Sequence, residues 1–261
     1  MKNKPPRLKK SLGQHFLKDR NIIKKIVDAA GIETDDTVVE IGPGGGALTE
    51  EILERNPQSL VCVEIDPEMV EFLKEKFKTR KNFTILNEDA KKFDLSQVGS
   101  NLKVLGNLPY NVSTAIIRNL LNYIDSVQTV IFMTQKEVAQ RLTSTVGKDY
   151  GYLPALLQNF FKIEKLFDVP PGAFVPPPKV WSTVFKMTPL GFRMEEKELK
   201  KFESFLKKAF SNRRKKLKNN IGKPPSAELE EMFQKRAEEI PPTEMLSLFR
   251  KIRQIAPKQN F

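Results

Sequence analysis

The stretch Val38-Val39-Glu40-Ile41-Gly42-Pro43-Gly44-Gly45-Gly46-Ala47 decides the fold. Its first half is a short, β-branched apolar run and reads as a buried strand. Its second half is a glycine turn that opens a helix over about 47–55. Glycines let such a turn tighten and let a ligand approach the backbone, while the helix N-terminus offers free N–H groups. The spacing Gly42, Gly44, Ala47 satisfies G-x-G-x-x-G/A, the pattern of a nucleotide-binding turn. The same glycines also serve turns that only connect, so the surroundings must decide. Gly45-Gly46 is expected to loosen the turn, at an entropic cost.

Outward from this turn, apolar runs at 60–63, 83–86, 102–105 and 129–133 read as further strands. Helical patterns fall at 67–78, which starts on a proline, and at 113–121 and 136–143. The alternation predicts an α/β domain with a mostly parallel sheet covered by helices on both faces. Ligands in such sheets bind beyond the carboxyl ends of the strands. Pro170-Pro171 and Pro176-Pro177-Pro178 then bracket Gly172-Ala173-Phe174-Val175, and 180–187 alternates like a strand, which suggests a closing hairpin on a stiff connection. A boundary at Thr188-Pro189 divides residues 1–188 from a small all-helical domain, 189–261, with helices near 195–210, 227–236 and 242–253. That second domain shows few strong apolar stripes and is expected to lean on the first.

The 261 residues carry a formal net charge of +12, distributed as +7 over 1–30, −4 over 31–180 and +9 over 181–261. Basic ends around a mildly acidic middle are the electrostatic footprint of a polyanion binder. The single cysteine, Cys62, excludes a disulfide framework and a cysteine zinc site and fits a reducing cytosol. The longest apolar runs are only a few residues, so no transmembrane helix is expected. A cytoplasmic monomer is the expectation, since no sustained heptad or large apolar stripe is present.

Three acids fall at successive strand ends. Glu40 precedes the glycine turn, Glu64 ends the second strand 22 residues after Gly42, and Asp89 follows the third in Asn87-Glu88-Asp89-Ala90. An acid at the end of the second strand accepts ribose hydroxyls, and one after the third is placed to accept from an adenine amino group. The turn lacks the Gly-Lys-Ser/Thr of a P-loop, which argues against a nucleoside triphosphate. A nucleoside pocket rimmed by carboxylates favours a cationic ligand, and S-adenosylmethionine fits.

The motif Gly106-Asn107-Leu108-Pro109-Tyr110 closes the fourth strand. An exocyclic adenine amine is a poor nucleophile because its lone pair is delocalised into the ring. An acceptor side chain and a backbone carbonyl that bind its two N–H groups favour the pyramidal geometry that frees that pair. Asn107 supplies the first, and the Leu108 carbonyl, held extended by Pro109, supplies the second. Tyr110 offers a face on which an unstacked base can lie. The tetrapeptide alone is also a plain strand-to-helix turn; the pocket around it favours the chemical reading.

Taken together, Leu12-Gly13-Gln14-His15-Phe16-Leu17, Val39 to Gly44, Asn107-Leu108-Pro109-Tyr110, Pro171 to Val180 and Ser211-Asn212-Arg213-Arg214-Lys215-Lys216-Leu217 resemble the small-subunit ribosomal RNA adenine N6,N6-dimethyltransferase family. The likeness spans nearly the whole chain, in order. It implies a Rossmann-like class I methyltransferase domain with a small C-terminal helical domain. It also implies N6,N6-dimethylation of two adjacent adenosines in a hairpin loop near the 3′ end of small-subunit (16S) rRNA, tied to small-subunit biogenesis. Carried over position by position, it implies cofactor contacts at His15, Leu17, Glu40, Gly42, Gly44, Glu64, Asp89, Ala90 and Asn107. The target-adenine residues would be Asn107 and Tyr110, with Leu108 and Pro109 between them, and Phe174 would help to hold the flipped base. His15 stands where many relatives have Asn, so its contact is expected through the backbone or a ring nitrogen. Rival readings are the related large-subunit methyltransferase of the antibiotic-resistance type and a binding-only ribosome-assembly or transcription factor.

The expected partner is small-subunit rRNA within the immature subunit. Lys207, Lys208, Arg213, Arg214, Lys215, Lys216 and Lys218 form a run without an acid and are candidate phosphate contacts, Arg213 and Arg214 foremost because guanidinium binds bidentately. Residues 1–12 are expected to form a basic arm that orders on RNA. Phe174, between proline pairs, is either a core plug or an exposed stacking ring. Trp181 is expected to pack at the closing hairpin, Cys62 in the core, and His15, the only histidine, is assigned no proton transfer.

Overall fold

The computed structural model describes residue 6 and residues 15–256. Most of the expected basic arm, 1–12, therefore lies outside the described residues. The chain forms two compact units, one running to Ala139 and including Glu164–Pro189, the other built from Gln140–Ile163 and the chain from Leu190 onward.

In the first unit, strands β2 (Thr37–Ile41), β3 (Ser59–Glu64), β4 (Phe83–Asn87), β5 (Leu102–Asn107) and β6 (Val127–Gln135) pair in parallel. Together with β7 (Phe161–Val169) and β9 (Ser182–Pro189) they make a seven-stranded sheet in the order β4-β3-β2-β5-β6-β9-β7. Strand β9 joins β6 antiparallel, as the closing hairpin predicted. The order reverses between β2 and β5, which opens a crevice beyond their carboxyl ends. A two-stranded ribbon pairs β1 (Phe16–Leu17) with β8 (Phe174–Val175), Leu17 opposite Phe174.

Helices α1 (Arg20–Ala30), α2 (Ala47–Glu54), α3 (Pro67–Lys76) and α4 (Ser113–Asn119) connect these strands or precede them. Helix α1 begins where the Asp19 carboxylate accepts from the backbone N–H groups of Asn21 and Ile22, and it ends at Gly31 in the left-handed conformation. Its buried residues Ile23, Ile26, Val27 and Ala30 recur every three or four positions and form one face. Each fully buried Ile or Val there contributes roughly 1.5–3 kcal/mol. Cys62 is buried in the core, as expected.

The expectation for Gly45-Gly46 changes. Gly46 caps α2 at φ +79°, and a Cβ there would stand 2.7 Å from Leu73 Cδ2 and 3.1 Å from the Phe77 ring. The residue lets α3 pack against the turn; it tightens the structure rather than loosening it.

The second unit holds α6 (Tyr152–Leu157), α7 (Glu196–Ala209), α8 (Leu217–Ile221), α9 (Glu230–Gln234) and α10 (Pro242–Ile255). Its core is stronger than the sequence reading allowed. Leu199, Phe202, Phe205, Leu206 and Ala209 form a helical stripe along α7, and the Phe249 ring of α10 lies 5.2 Å from Phe202 and 5.5 Å from Phe205. Helix α5 (Lys136–Thr143) crosses from the first unit's sequence into the second's. Among the described residues, no helix is long and apolar enough to cross a membrane.

Candidate active site

The carboxyl ends of β2, β3, β4 and β5 open into a cleft of about 420 Å³ in the first unit. It is lined by twelve of the thirteen residues expected for cofactor and target, all but Phe174: His15, Leu17, Glu40, Gly42, Gly44, Glu64, Asp89, Ala90, Asn107, Leu108, Pro109 and Tyr110. Parallel strands explain the convergence of ten of these, because each strand end delivers its residues to one edge of the sheet; His15 and Leu17 stand at the β1 ribbon.

Glu40 is almost wholly buried. Burial pushes its carboxyl up from 4.5 to about 7, against hydrogen bonds from Thr49 Oγ1 at 2.7 Å and Cys62 Sγ at 3.5 Å. Glu64 is also held above its ordinary value by burial. The two oxygens of Glu64 accept from the backbone N–H of Gly44 at 3.2 Å and of Asp66 at 2.9 Å. These bonds set the carboxylate across the glycine turn, and each oxygen keeps a second lone pair for another donor. Asp89 pairs with Lys91, whose ammonium stands 3.3 Å away.

The other half of the cleft is a small hydrogen-bonded frame. Asn107 Nδ2 donates to the His15 carbonyl at 3.0 Å, which commits the amide nitrogen and leaves Oδ1 as the acceptor end. His15 and Tyr110 stack with ring centroids 5.6 Å apart and planes at 27°. Tyr110 Oη pairs with Ser182 Oγ at 2.7 Å, and burial raises its phenol above the ordinary value, so it stays neutral at physiological pH. His15 Nδ1 in turn meets the Pro176 carbonyl at 2.8 Å. His15 thus holds Asn107 through its backbone and the Pro-rich loop through its ring.

Two expectations fail here. Phe174 is not an exposed stacking ring: it is 1% exposed and belongs to the core cluster with Leu17, Ala173 and Val184. Its pairing with Leu17 in the ribbon turns the side chain inward. Trp181 is not packed away either; it is 49% exposed. Sequence reasoning also missed Ser182 and Thr49, which hold Tyr110 and Glu40. Thr49 lies on the first turns of α2 and is readable as a neighbour of the glycine turn, but Ser182 is 72 residues from Tyr110 and carries no local signal.

In the second unit the basic run divides. Arg213 is tied into the fold: its Nη2 donates to the carbonyls of Gly147 and Lys148 and to Glu238, linking the 147–148 turn to that carboxylate, while the side chain stays 39% exposed. Lys207, Lys208, Arg214, Lys215, Lys216 and Lys218 are exposed.

A family model described as ribosomal RNA adenine dimethylase matches residues 6–254. The chain belongs to the ribosomal RNA adenine dimethylase family. Relatives within this dimethylase family include two proteins named ribosomal RNA small subunit methyltransferase A. That of Persephonella marina is 45% identical over 220 residues, 83% of each chain. That of a Sulfurihydrogenibium species is 41% identical over 252 residues, covering 92% of this chain and 95% of the relative. Among solved structures, a dimethyladenosine transferase from Plasmodium falciparum matches with TM-score 0.77 and 25% identity over 92% of this chain and 98% of its own. The 23S rRNA methyltransferase ErmE matches with TM-score 0.72 and 25% identity over 92% and 100%.

The cleft also fits the cofactor of such an enzyme. Two buried carboxyls with raised pKa and no lysine in the glycine turn make a site that a cation relieves and a polyphosphate would strain.

Proposed function

We propose that this chain transfers methyl groups from S-adenosylmethionine to N6 of two adjacent adenosines in a hairpin loop near the 3′ end of small-subunit rRNA, two groups to each, acting as a cytoplasmic monomer on the immature subunit. The observation that carries this reading is the cleft-lining Asn107 amide, whose nitrogen is held by the His15 carbonyl and whose Oδ1 is left to accept.

When bound, S-adenosylmethionine supplies an electrophilic methyl carbon on a positively charged sulfur. Glu64, held by Gly44 and Asp66, accepts the ribose hydroxyls, and Asp89 accepts from the cofactor's adenine. Glu40 sits behind the glycine turn, whose residues Gly42 and Gly44, with His15, Leu17 and Ala90, shape the walls. Asn107 Oδ1 and the Leu108 carbonyl each take one N–H of the target amine. This would draw the nitrogen toward a pyramidal geometry that frees its lone pair for the methyl group. Tyr110, locked between His15 and Ser182, gives the flipped base a fixed face. Positioning and fixed dipoles do the catalytic work, and the neutral phenol of Tyr110 takes no proton. Each transfer costs the amine one proton, released to solvent, so for the second transfer one N–H is left and a single acceptor suffices to orient it.

The exposed Lys207, Lys208, Arg214, Lys215, Lys216 and Lys218 meet phosphates of the substrate RNA. The second unit then serves recognition and the first serves chemistry. Relatives at 41–45% identity that carry the small-subunit name, against 25% for ErmE, support the small-subunit target over the large-subunit one.

The test is transfer of labelled methyl to unmodified small and large ribosomal subunits, followed by mass mapping of the modified nucleosides. Dimethyladenosine at adjacent loop positions of the small-subunit RNA is the expected product. Label confined to the large subunit would overturn the target assignment.

A further inference from the structure

Trp181 is the only tryptophan in the chain, and half of it faces solvent. It stands at the end of an exposed segment that includes Val175, Pro176, Pro177, Lys179 and Val180. Three consecutive prolines at 176–178 fix their own φ angles and stiffen this segment. Both ends are tied to the cleft. His15 Nδ1 reaches the Pro176 carbonyl at 2.8 Å, and Ser182, the residue after Trp181, pairs with Tyr110 Oη at 2.7 Å. Trp181 is therefore one residue along the chain from the partner of the ring on which the target base lies.

The surroundings of the ring are cationic. The Lys136 backbone N–H donates to the Trp181 carbonyl at 2.9 Å, and the Lys136 ammonium lies 5.8 Å from the indole centroid. Asp168 anchors that ammonium at 2.9 Å and the Lys165 ammonium at 2.9 Å, and it also accepts from Thr183 Oγ1 at 2.6 Å. One carboxylate thus holds two lysines in place, each about half exposed, and Lys179 adds a third positive charge. A rigid exposed aromatic ring among positioned ammonium groups matches an unstacked nucleobase between phosphates. A protein partner would meet an isolated ring in a cationic field, a poorer match.

We propose that Trp181 is a stacking platform for a base next to the target adenosine, with Lys136, Lys165 and Lys179 holding the flanking phosphates. The role rests on the function proposed above and deepens it: Trp181 is a specificity-determining contact that grips the loop while the adjacent adenine lies on Tyr110. Because the ring is already exposed and its segment already stiff, little ordering cost opposes binding.

The sole tryptophan makes the test direct. Intrinsic fluorescence is followed while the full-length protein is titrated with a small-subunit loop hairpin, then with hairpins carrying an abasic site at one loop position at a time. Quenching is expected with the intact loop, and loss of quenching when one position flanking the target is abasic. In parallel, Trp181→Ala is expected to raise KM for the hairpin about 5- to 150-fold with kcat little changed, while Trp181→Phe retains most of the affinity. Methyl transfer by the unaltered protein, with no abasic position affecting fluorescence and KM unmoved in Trp181→Ala, would overturn the platform and leave the enzyme reading standing. Absence of methyl transfer by the unaltered protein would instead overturn the enzyme reading, and the fluorescence series would then decide the platform separately. A Trp181→Ala defect seen only with intact subunits, and not with the protein-free hairpin, would assign the ring to a protein contact and overturn the proposal.

Discussion

The cleft at the strand ends and the basic run that starts in the last turn of α7 were both picked out from sequence as functional, yet they differ in how their side chains are held. In the cleft, two of the central groups are fixed by backbone atoms: Glu64 by the N–H groups of Gly44 and Asp66, Asn107 by the His15 carbonyl. Sheet topology dictates where those backbone atoms stand, so residue order predicts assembly. In the basic run, charge was read residue by residue, and nothing in a run of cations distinguishes one that faces solvent from one that ties the fold together. Arg213 and Arg214 are neighbours in sequence, but the first is bonded to Gly147, Lys148 and Glu238 while the second is exposed. A motif tied to strand ends predicts individual roles, whereas a charge run predicts only a total.

The comparison sharpens most at Phe174, which the family likeness placed with the substrate and the structure places in the core. Phe174→Ala should cost about 3–5 kcal/mol of stability in urea unfolding while leaving the RNA affinity of the folded protein unchanged. An affinity loss without destabilisation would return the ring to the substrate. Next in size is Glu40. Between pH 4.5 and about 7 the folded carboxyl keeps its proton while the unfolded one is ionised. The folded state then binds more protons, and stability falls as pH rises through this window, by up to about 3 kcal/mol. Glu40→Gln removes that dependence, so its stability advantage over the unaltered protein should be larger at pH 8 than at pH 5. A constant difference would refute the buried, proton-holding carboxyl.

The smaller effects lie in the basic run. Arg213→Ala should lower stability by about 1–3 kcal/mol, the cost of leaving its acceptors unsatisfied, and should leave the salt dependence of RNA binding unaltered. With six exposed cations on phosphates, log affinity should fall with log salt at a slope of about −5, and Lys215→Ala should flatten that slope by about 0.9. Equal effects of the two substitutions on the slope would erase the distinction between structural and phosphate-facing cations.

Six strands of the seven-stranded sheet were legible because alternating apolar runs and glycine punctuation survive in any parallel α/β sheet. Ten of the twelve cleft residues were legible because they stand at or just after the ends of parallel strands; His15 and Leu17, at the β1 ribbon, were legible only through the family resemblance. Other features needed three-dimensional contacts. Helix α1 was passed over although its stripe of Ile23, Ile26, Val27 and Ala30 is plain once its Asp19 cap is recognised. Strand β7 was hidden because FKIEKLFDV is mixed in polarity and only its ends, Phe161 and Val169, are buried. The core of the second unit was underrated because its aromatic stripe on α7 is interleaved with lysines and glutamates. Ser182 was invisible as a partner of Tyr110, since only the closing hairpin brings it there.

The central claim is that Asn107, oriented by the His15 carbonyl, presents Oδ1 to the target amine. Single-turnover methyl transfer and RNA binding, measured side by side for Asn107→Ala, test it most directly. The account predicts a fall in transfer rate of about 100- to 1,000-fold with RNA affinity essentially retained. A transfer rate equal to that of the unaltered protein would contradict it.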